Sequence, residues 1–208
     1  MEQLGRRERK KAEVRTRISD TATALFLRRG FDNVSVSEIA EAADVARPTV
    51  FAHFARKEDL LFDRYPETEA LFVQAVRDRP ARSSAVQALA DRLITLADEG
   101  HPASAMRAEF APFWRLVATS RALQARAREL AETLEHEVAR AMAETGTPEP
   151  GLTAALVSAA YRTVHLESVA RVLAGEDAAT VAADHSTRIR FALDLVDRIT
   201  APTGREEA

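Results

Sequence analysis

Apolar residues recur at helical spacing along nearly the whole chain, and this pattern narrows the available folds more than any other feature. Near the N-terminus Val14, Ile18, Ala22, Leu25 and Phe26 follow steps of three and four residues. Alternating β-branched residues are nearly absent and the 208 residues include 7 glycines, whereas alanine, leucine, arginine and glutamate dominate. The sequence therefore predicts an all-α fold.

Local breaks divide this pattern into separate helices. Gly30 supplies the permissive backbone that a helix end favours, and Ser35 with Glu38 forms an S-x-x-E capping box at the start of a short helix. Pro48 lies in the first turn of the next helix, where proline is tolerated. We expect helices over residues 9–29, 35–43, 47–53, 58–77 with an interruption near Pro66, 83–99, 103–118, 121–145, 151–174 and 178–200.

The net charge of −3 conceals a basic N-terminal end on an acidic body. Residues 1–57 carry 12 Lys/Arg and 8 Asp/Glu, whereas residues 58–208 carry 17 and 24. This asymmetry indicates a polyanionic partner for the N-terminal end alone, although a solvated basic helix start gives the same composition.

Composition and motifs exclude several classes of function. Without cysteine the chain forms no disulfide and no thiolate site, which suits a reducing cytoplasm. The sequence has neither an N-terminal apolar segment nor a run of about 18 apolar residues. It therefore predicts neither a signal peptide nor a membrane-spanning helix. The phosphate-binding, dinucleotide-binding, serine hydrolase and zinc protease motifs are missing, so we expect no catalytic residue, metal or cofactor.

Two alternatives stay open. One is an all-helical enzyme with a carboxylate-only active site, and the other is a protein-binding adaptor that kept a helix-turn-helix shape. A salt-dependent shift of random duplex DNA distinguishes both from a DNA-binding protein, because only the latter predicts it.

The three N-terminal helices have the lengths and spacing of a helix-turn-helix unit. Two short helices joined by a tight turn follow a longer amphipathic helix, and such a unit places its last helix in the major groove. The apolar spacing leaves Arg47, Thr49 and His53 facing outward. Ordinary solvent exposure is the alternative reading of those three residues.

The same region resembles the N-terminal domain of the tetracycline-repressor (TetR) family. The resemblance is carried by Arg17, Ile18, Thr21, Ala22, Leu25, Phe26, Gly30, Phe31, Ser35, Val36, Ile39, Ala40, Ala43, Val45, Thr49, Phe51, His53, Phe54, Lys57, Glu58 and Leu60. It does not extend beyond residue 80. It implies a cytoplasmic, homodimeric, ligand-responsive transcriptional repressor of a palindromic operator, released by a small, largely apolar effector.

Chemistry and resemblance together assign a DNA-binding set. Arg47 can contact a guanine edge with two hydrogen bonds, and Thr49 can offer a hydroxyl or a methyl group. The resemblance implies that His53, Lys57 and the helix start at Ser35 hold phosphates. The predicted set is Ser35, Arg47, Pro48, Thr49, Phe51, His53 and Lys57.

Three positions depart from the family pattern. Asp44 replaces a usual glycine, but aspartate tolerates a left-handed turn. Ala46 replaces a common serine and removes a capping hydroxyl. Phe51 replaces a common tyrosine, which puts one phosphate contact in doubt.

Aromatic and polarisable residues of the C-terminal region predict an apolar ligand pocket with a few polar groups. Tyr161 and His165 lie one turn apart and share a helix face. Plain core packing is the competing explanation for each residue. The predicted ligand-binding set is Met106, Phe110, Phe113, Trp114, Tyr161 and His165.

Residues 120–126 and the alanine-rich helices that follow resemble members with a mycofactocin-regulator-like domain, some of which sense acyl-coenzyme A. An acyl-CoA is therefore one candidate effector, beside other hydrophobic ligands. Its phosphates could meet Arg107, Arg115, Arg121 or Arg162, although the 24 acidic residues of the same region favour surface ion pairing as the use of these arginines.

The last two long helices carry apolar residues at helical spacing: Leu152, Leu156, Ala159, Ala160, Thr163, Leu166, Ala170, Leu173, Ile189, Leu193, Val196 and Ile199. The resemblance implies that these helices form a four-helix dimer interface, with burial inside the monomer as the alternative. The predicted organisation is a DNA-binding domain over 1–57, a ligand-binding and dimerisation domain over 58–200, and a disordered tail over 201–208.

Overall fold

The structure is a computed structural model that describes residues 5–101 and 107–201. Over these residues the chain is helical and contains no strand. The helices are α1 Arg6–Arg29, α2 Val36–Ala42, α3 Arg47–His53, α4 Tyr65–Arg77, α5 Ala85–Asp98, α6 Ala111–Thr119, α7 Arg121–Glu144, α8 Pro150–Leu173 and α9 Ala178–Thr200, with 3-10 turns at Glu58–Leu60 and Ala108–Phe110. The predicted all-α class is confirmed.

Two predicted helices differ from the structure. The break in the fourth helix precedes Pro66, which is the second residue of α4, because proline fits the first turn of a helix. In the described part of the helix predicted over 103–118, a 3-10 turn at Ala108–Phe110 precedes an α-helix that starts at Ala111. Residues 102–106 and 202–208 lie outside the described residues. Of the tail predicted over 201–208, only Ala201 is therefore described.

The chain packs into two compact units. The first takes the described residues up to Tyr65 together with Arg115–Ala127. The second takes the described residues between Pro66 and Trp114 and those from Arg128 onward. Helices α6 and α7 therefore contribute residues to both units. The functional boundary predicted at residue 57 is a different kind of division and stays a prediction.

The core of the first unit anchors α2 and α3 on α1. The rings of Phe26 and Phe31 pack with their centroids 5.0 Å apart, next to the end of α1. Val50 and Phe54 are 1% and 2% exposed, so the inner side of α3 is firmly buried. The buried apolar residues of this unit are Ile18, Ala22, Phe26, Phe31, Val34, Ile39, Ala40, Ala43, Val50, Phe54, Leu60, Leu61, Leu116, Val117 and Leu123.

The second unit has its own core, in which α9 packs against α5 and α8. A capping box of Ser84 and Gln87 starts α5, and both side chains also hydrogen-bond to the carboxylate of Asp197 on α9, at 2.5 and 2.8 Å. The buried core includes Phe72, Val76, Val86, Leu89, Leu93, Leu96, Val138, Met142, Val157, Val164, Ile189, Leu193 and Val196.

Candidate functional site

Helix α3 presents a polar outer surface on a rigid base. Its bounds agree with the predicted helix over 47–53. Arg47 and Pro48 are exposed and Thr49 is half-buried, while Val50 is buried beneath them. Ala46 precedes the helix without a side-chain cap, as its missing hydroxyl predicts.

Phe51 supports Arg47 on this surface. The side chain of Phe51 is 46% exposed, and the guanidinium carbon of Arg47 lies 5.6 Å from the centre of its ring. The two residues are one helical turn apart, so a cation–π contact aligns them along the outer face of α3. The ring that replaces the usual tyrosine therefore limits where the guanidinium group can point.

The turn between α2 and α3 uses the left-handed conformation expected at Asp44. Its φ angle is 51°, and the amide N–H of Val45 closes the turn on the carbonyl of Ala40 at 3.0 Å. Aspartate adopts this region at a lower cost than most residues. The replacement of glycine has therefore preserved the turn.

The predicted capping box at the start of α2 is confirmed. The amide N–H of Glu38 donates to the Ser35 hydroxyl oxygen at 3.2 Å, and Ser35 N–H donates to the Glu38 carboxylate at 2.8 Å. The two bonds with Ser35 have the largest effect on the pKa of Glu38, and a bond from Arg29 has the next largest. Together they lower this pKa to about 2. The Ser35 amide is thus already occupied, and only its hydroxyl hydrogen is available to an anion.

Arg15 holds the C-terminal end of α3, a role that the sequence analysis missed. Its guanidinium donates to the carbonyl of His53 at 2.6 Å, lies 4.3 Å from the Phe54 ring centre and pairs with Asp63 at 2.5 Å. The signal in the sequence is its place three residues before buried Ile18, which puts a charge on the inner side of α1. Arg15 therefore sets the position of α3 relative to α1.

His53 is half-buried at the end of α3. Desolvation lowers its pKa, and the positive charges of Lys11 and Arg15 lower it further, against an opposing effect of Asp63. Its ring is therefore neutral at neutral pH. In this state His53 can donate a hydrogen bond to an anion but adds no positive charge.

Lys57 is directed into the first unit. Its ammonium group donates to the carbonyl of Phe31 at 2.5 Å and lies 4.1 Å from the centre of the Phe31 ring and 5.5 Å from that of Phe26. Desolvation lowers its pKa. The structure therefore gives Lys57 an inward role, and contact with a phosphate would use the remaining hydrogens of the same ammonium group.

A second group of polar side chains, the polar cluster, lies inside the second unit and comprises Trp114, Tyr161, His165, Ser168 and His185. The ring centres of Trp114 and His165 are 4.9 Å apart, and Tyr161 Oη lies 3.2 Å from His165 Nδ1. His185 Nδ1 lies 3.1 Å from Ser168 Oγ. Helices α6, α8 and α9 thus bring these side chains together.

The polar cluster is uncharged at neutral pH. Desolvation lowers the pKa of His165 to about 3, with a smaller contribution from His185. Desolvation also lowers the pKa of His185 to about 4, helped by Arg188 and opposed by Asp184. Burial raises the pKa of Tyr161 above its usual value. The cluster therefore offers hydrogen bonds and aromatic rings but no ionic charge.

The structure brings together part of the predicted ligand-binding set. Trp114 and Tyr161 each contact His165, and Phe113 joins them through Trp114 with ring centres 5.0 Å apart. Phe110 is half-buried, and no aromatic ring pair among the described residues joins it to the polar cluster. Met106 lies outside the described residues.

His185 and Ser168 were missed by the sequence analysis. His185 lies four residues after Val181 and four before Ile189, on the buried face of α9. Ser168 lies three residues after His165 on α8. Polar residues within an apolar helical series were therefore the available signal.

The four arginines considered for ligand phosphates are divided between the units. Arg115 and Arg121 belong to the first unit, whereas Arg107 and Arg162 belong to the second. Arg107 donates to the carbonyl of Glu99 at 3.3 Å. No single unit therefore holds all four.

The predicted interface on α9 needs correction. Ile189, Leu193 and Val196 are 1%, 1% and 7% exposed, so they belong to the monomer core, which was the stated alternative. The helical period places them on the face that meets α5 and α8. Large apolar side chains nevertheless stay exposed on α8 and α9. They are 40–73% exposed and comprise Leu152, Leu166, Phe191, Leu195 and Ile199.

Two other kinds of site have no counterpart in residues 5–101 and 107–201. None of the helices there is long and apolar enough to cross a membrane. Nor do histidine and carboxylate side chains of this part of the chain gather in a group of three that could hold a metal ion.

Comparison with known proteins finds a family match for the N-terminal region. Residues 18–63 match the family model described as bacterial regulatory proteins, tetR family. The chain is 35% identical over 85 residues to the HTH-type transcriptional regulator TcmR of Streptomyces glaucescens, covering 41% of this chain and 38% of that protein. It is 52% identical over 40 residues to a protein of Mycobacterium tuberculosis named as a mycofactocin biosynthesis transcriptional regulator, MftR, covering 19% of this chain and 20% of that protein.

The chain spans well under half the length of these two relatives. The 40 residues shared with MftR are too few to test the resemblance proposed for the C-terminal region. A crystal structure covers more: FadR of Thermus thermophilus, a TetR-family transcriptional repressor in complex with lauroyl-CoA, is 25% identical with a TM-score of 0.54, covering 86% of this chain and 93% of that one.

Proposed function

We propose that this chain, whose residues 18–63 form a TetR-family helix-turn-helix domain, is a transcriptional repressor that binds a palindromic operator as a homodimer. A small, largely apolar effector releases it. The observation that carries the proposal is α3, a short helix buried on one side through Val50 and Phe54 and open on the other at Arg47 and Pro48. Such a helix suits insertion into the major groove of a duplex.

The outer side of α3 supports base reading. Arg47, aligned by the Phe51 ring, carries the paired donors that match the O6 and N7 acceptors of guanine. Thr49, the third residue of α3, offers a hydroxyl and a methyl group. The Ser35 hydroxyl, the neutral His53 ring and the outer hydrogens of Lys57 serve as phosphate donors, which position the helix without reading sequence.

Dimerisation is supported by the exposed apolar face of α8 and α9. Five large apolar side chains in water are costly for a free monomer, and a twofold mate would bury them. A twofold dimer presents two copies of α3, and successive major grooves on one side of a duplex lie about 34 Å apart. The operator is therefore a palindrome.

Release by an effector is supported by the uncharged polar cluster within an apolar core. FadR, which has a similar fold, binds lauroyl-CoA. Because α6 and α7 contribute residues to both units, a ligand that shifts Trp114 acts on a helix that continues into the first unit. The segment that follows Lys57 is a second connection through which a ligand in the second unit can act on the first unit. Ligand and DNA then oppose each other through a change in the spacing of the two α3 helices.

Selection of bound duplexes from a random library tests the proposal. We expect enrichment of a palindrome and an affinity that falls steeply between roughly 50 mM and 200 mM salt. Arg47→Ala should weaken the selected site by about 1–3 kcal/mol per contacted base pair and relax its sequence preference. Arg128→Ala is the matched control, since Arg128 is an exposed arginine of the second unit.

Each part of the proposal has an outcome that would contradict it. Equal binding of all duplexes by the wild type, or an Arg47→Ala protein with unchanged preference, contradicts the proposed role of α3. A protein that stays monomeric on a selected half-site contradicts the dimer. A metabolite that binds the chain without changing operator affinity at constant salt contradicts release by an effector.

A further inference from the structure

The segment that follows α3, residues 56–63, carries two aspartates, and an arginine from a different helix pairs with each of them. We call this segment the linking turn. Asp63 pairs with Arg15 of α1 at 2.5 Å. Asp59 pairs with Arg126 of α7, whose Nε donates to Asp59 Oδ1 at 2.7 Å. The linking turn is therefore held by two helices that are far apart in the chain.

The carboxylate of Asp59 also shapes the linking turn from within. Its other oxygen, Oδ2, accepts a hydrogen bond from the backbone N–H of Arg56 at 3.1 Å, and Asp59 N–H donates to the carbonyl of Arg56 at 3.2 Å. One carboxylate thus caps the turn with one oxygen and binds Arg126 with the other. Arg56 lies three residues after His53, the last residue of α3. A displacement of Arg126 therefore reaches the backbone that leaves α3.

Buried neighbours fix both members of this ion pair. Leu60, directly after Asp59, is 1% exposed, and Leu123, three residues before Arg126 on α7, is fully buried. The side chains of Asp59 and Arg126 are themselves 20% and 22% exposed. Partly buried charges are screened less by salt than surface charges, and a fixed backbone reduces the entropy lost when they pair. The Arg126–Asp59 pair is therefore a stronger contact than a fully exposed ion pair.

Arg15 connects the same turn to α3. Besides pairing with Asp63, its guanidinium donates to the carbonyl of His53 at 2.6 Å. Contacts therefore lead from Arg126 through Asp59 and the linking turn to Asp63 and Arg15, and from Arg15 to the last residue of α3. The C-terminal end of α3 is thus held by a series of polar contacts that begins on α7.

We propose that Arg126 is a positioning residue for operator binding: through Asp59 it holds the linking turn, and with it α3, in the orientation that enters the major groove. The inference rests on the proposed function, because it concerns the DNA-binding role of α3. Arg126 acts on the orientation of α3 and contacts neither phosphate nor base. When the pair is lost, a smaller fraction of the protein holds α3 in the binding orientation, and operator affinity falls in proportion to that fraction.

The variant Asp59→Asn distinguishes positioning from general electrostatics. It removes a negative charge from the first unit, and a less negative protein binds a polyanion more tightly. Positioning predicts the opposite sign, because asparagine replaces the ion pair with a weaker neutral contact while its amide oxygen can keep the bond from Arg56 N–H. We therefore expect Asp59→Asn to bind the duplex selected from the random library about three- to tenfold more weakly than the wild type.

The salt dependence of binding tests the role of Arg126 itself. Removing an arginine that contacts a phosphate reduces the slope of log K against log salt by about one. Arg126→Gln should weaken binding of the selected duplex by about the same factor as Asp59→Asn and leave this slope unchanged, whereas Arg126→Lys, which keeps the charge, should recover part of the affinity. Arg128→Gln, at an exposed arginine two positions further along α7, is the matched control and should bind as the wild type does.

A double variant, Asp59→Asn with Arg126→Gln, tests whether the two residues act through each other. If they do, the double variant should bind about as weakly as the weaker single variant, and the two losses of affinity should not multiply. Mobility-shift titrations of the full-length protein with the selected duplex measure each affinity. Urea unfolding of each variant confirms that it is folded under the conditions of the titration.

Three results would overturn the proposal. The first is an Asp59→Asn protein that binds the selected duplex as tightly as the wild type or more tightly. The second is a salt slope that falls by about one in Arg126→Gln, which would indicate a direct phosphate contact. The third is a double variant whose losses multiply. A wild type that binds its selected palindrome while the variants match it refutes only the role of Arg126, whereas a wild type that binds no duplex refutes the repressor.

Discussion

Acidification should destabilise the second unit through its two buried histidines. In the folded chain the pKa values of His165 and His185 lie near 3 and 4, below the ordinary value of 6.5 that they regain on unfolding. The unfolded chain therefore takes up protons that the folded chain does not. The stabilisation is complete above the unfolded pKa and is lost as the pH falls below it.

The magnitude depends little on the folded pKa values. At about pH 5 both rings are still neutral in the folded chain, and each unfolded histidine is protonated some 1.5 pH units below its pKa, which costs about 2 kcal/mol. Together they remove about 4 kcal/mol between roughly pH 8 and pH 5. The lowered pKa of Glu38 acts only nearer its own titration range, whereas the lowered pKa of His53 in the first unit adds to the loss in the same window.

Urea unfolding followed by Trp114 fluorescence measures this loss. A double variant, His165→Gln with His185→Gln, should lose about 4 kcal/mol less stability than the wild type between the two pH values, and its remaining loss should come from His53. His136→Gln, at an exposed site, should lose as much as the wild type. If the double variant loses as much stability as the wild type, the rings of His165 and His185 are not the cause and the polar cluster is solvated.

Three further predictions concern the first unit. Asp44→Gly should raise the free energy of unfolding by up to about 1 kcal/mol in urea titrations, because Asp44 has a φ of 51° and glycine adopts it without strain, whereas Asp44→Val should lower it. Phe51→Tyr should tighten duplex binding by about 1 kcal/mol in a mobility-shift titration if the added hydroxyl reaches a phosphate, and unchanged affinity would argue against that contact. Duplex affinity should rise as the pH falls through the lowered pKa of His53, since a phosphate favours the charged ring, and His53→Gln should abolish this pH dependence; a persisting dependence would implicate another group.

Features set by neighbouring residues were predictable from the sequence. The capping box at Ser35, the left-handed turn at Asp44 and the bounds of α3 all depend on contacts within a few residues, and the structure confirms them. Helical periodicity also placed Tyr161 and His165 on one face.

Features set by residues far apart in the chain were not predictable from the sequence. Arg15 and His53 are 38 positions apart, and nothing in the local pattern indicates their bond. The inward direction of Lys57 depends on Phe31, which is 26 positions away. Periodicity identifies the apolar side of α9 but not the element that covers it, so Ile189 was assigned to the wrong partner.

The first unit is assembled from two stretches of chain that are far apart in sequence. The second stretch supplies Leu123, which is fully buried, and Arg126, whose guanidinium pairs with Asp59 at 2.7 Å. An excised N-terminal fragment ending near Tyr65 would lack both, and would be a poorer stand-alone module than its family match suggests. Chimeric regulators that exchange DNA specificity should therefore transplant residues 115–127 along with the N-terminal segment.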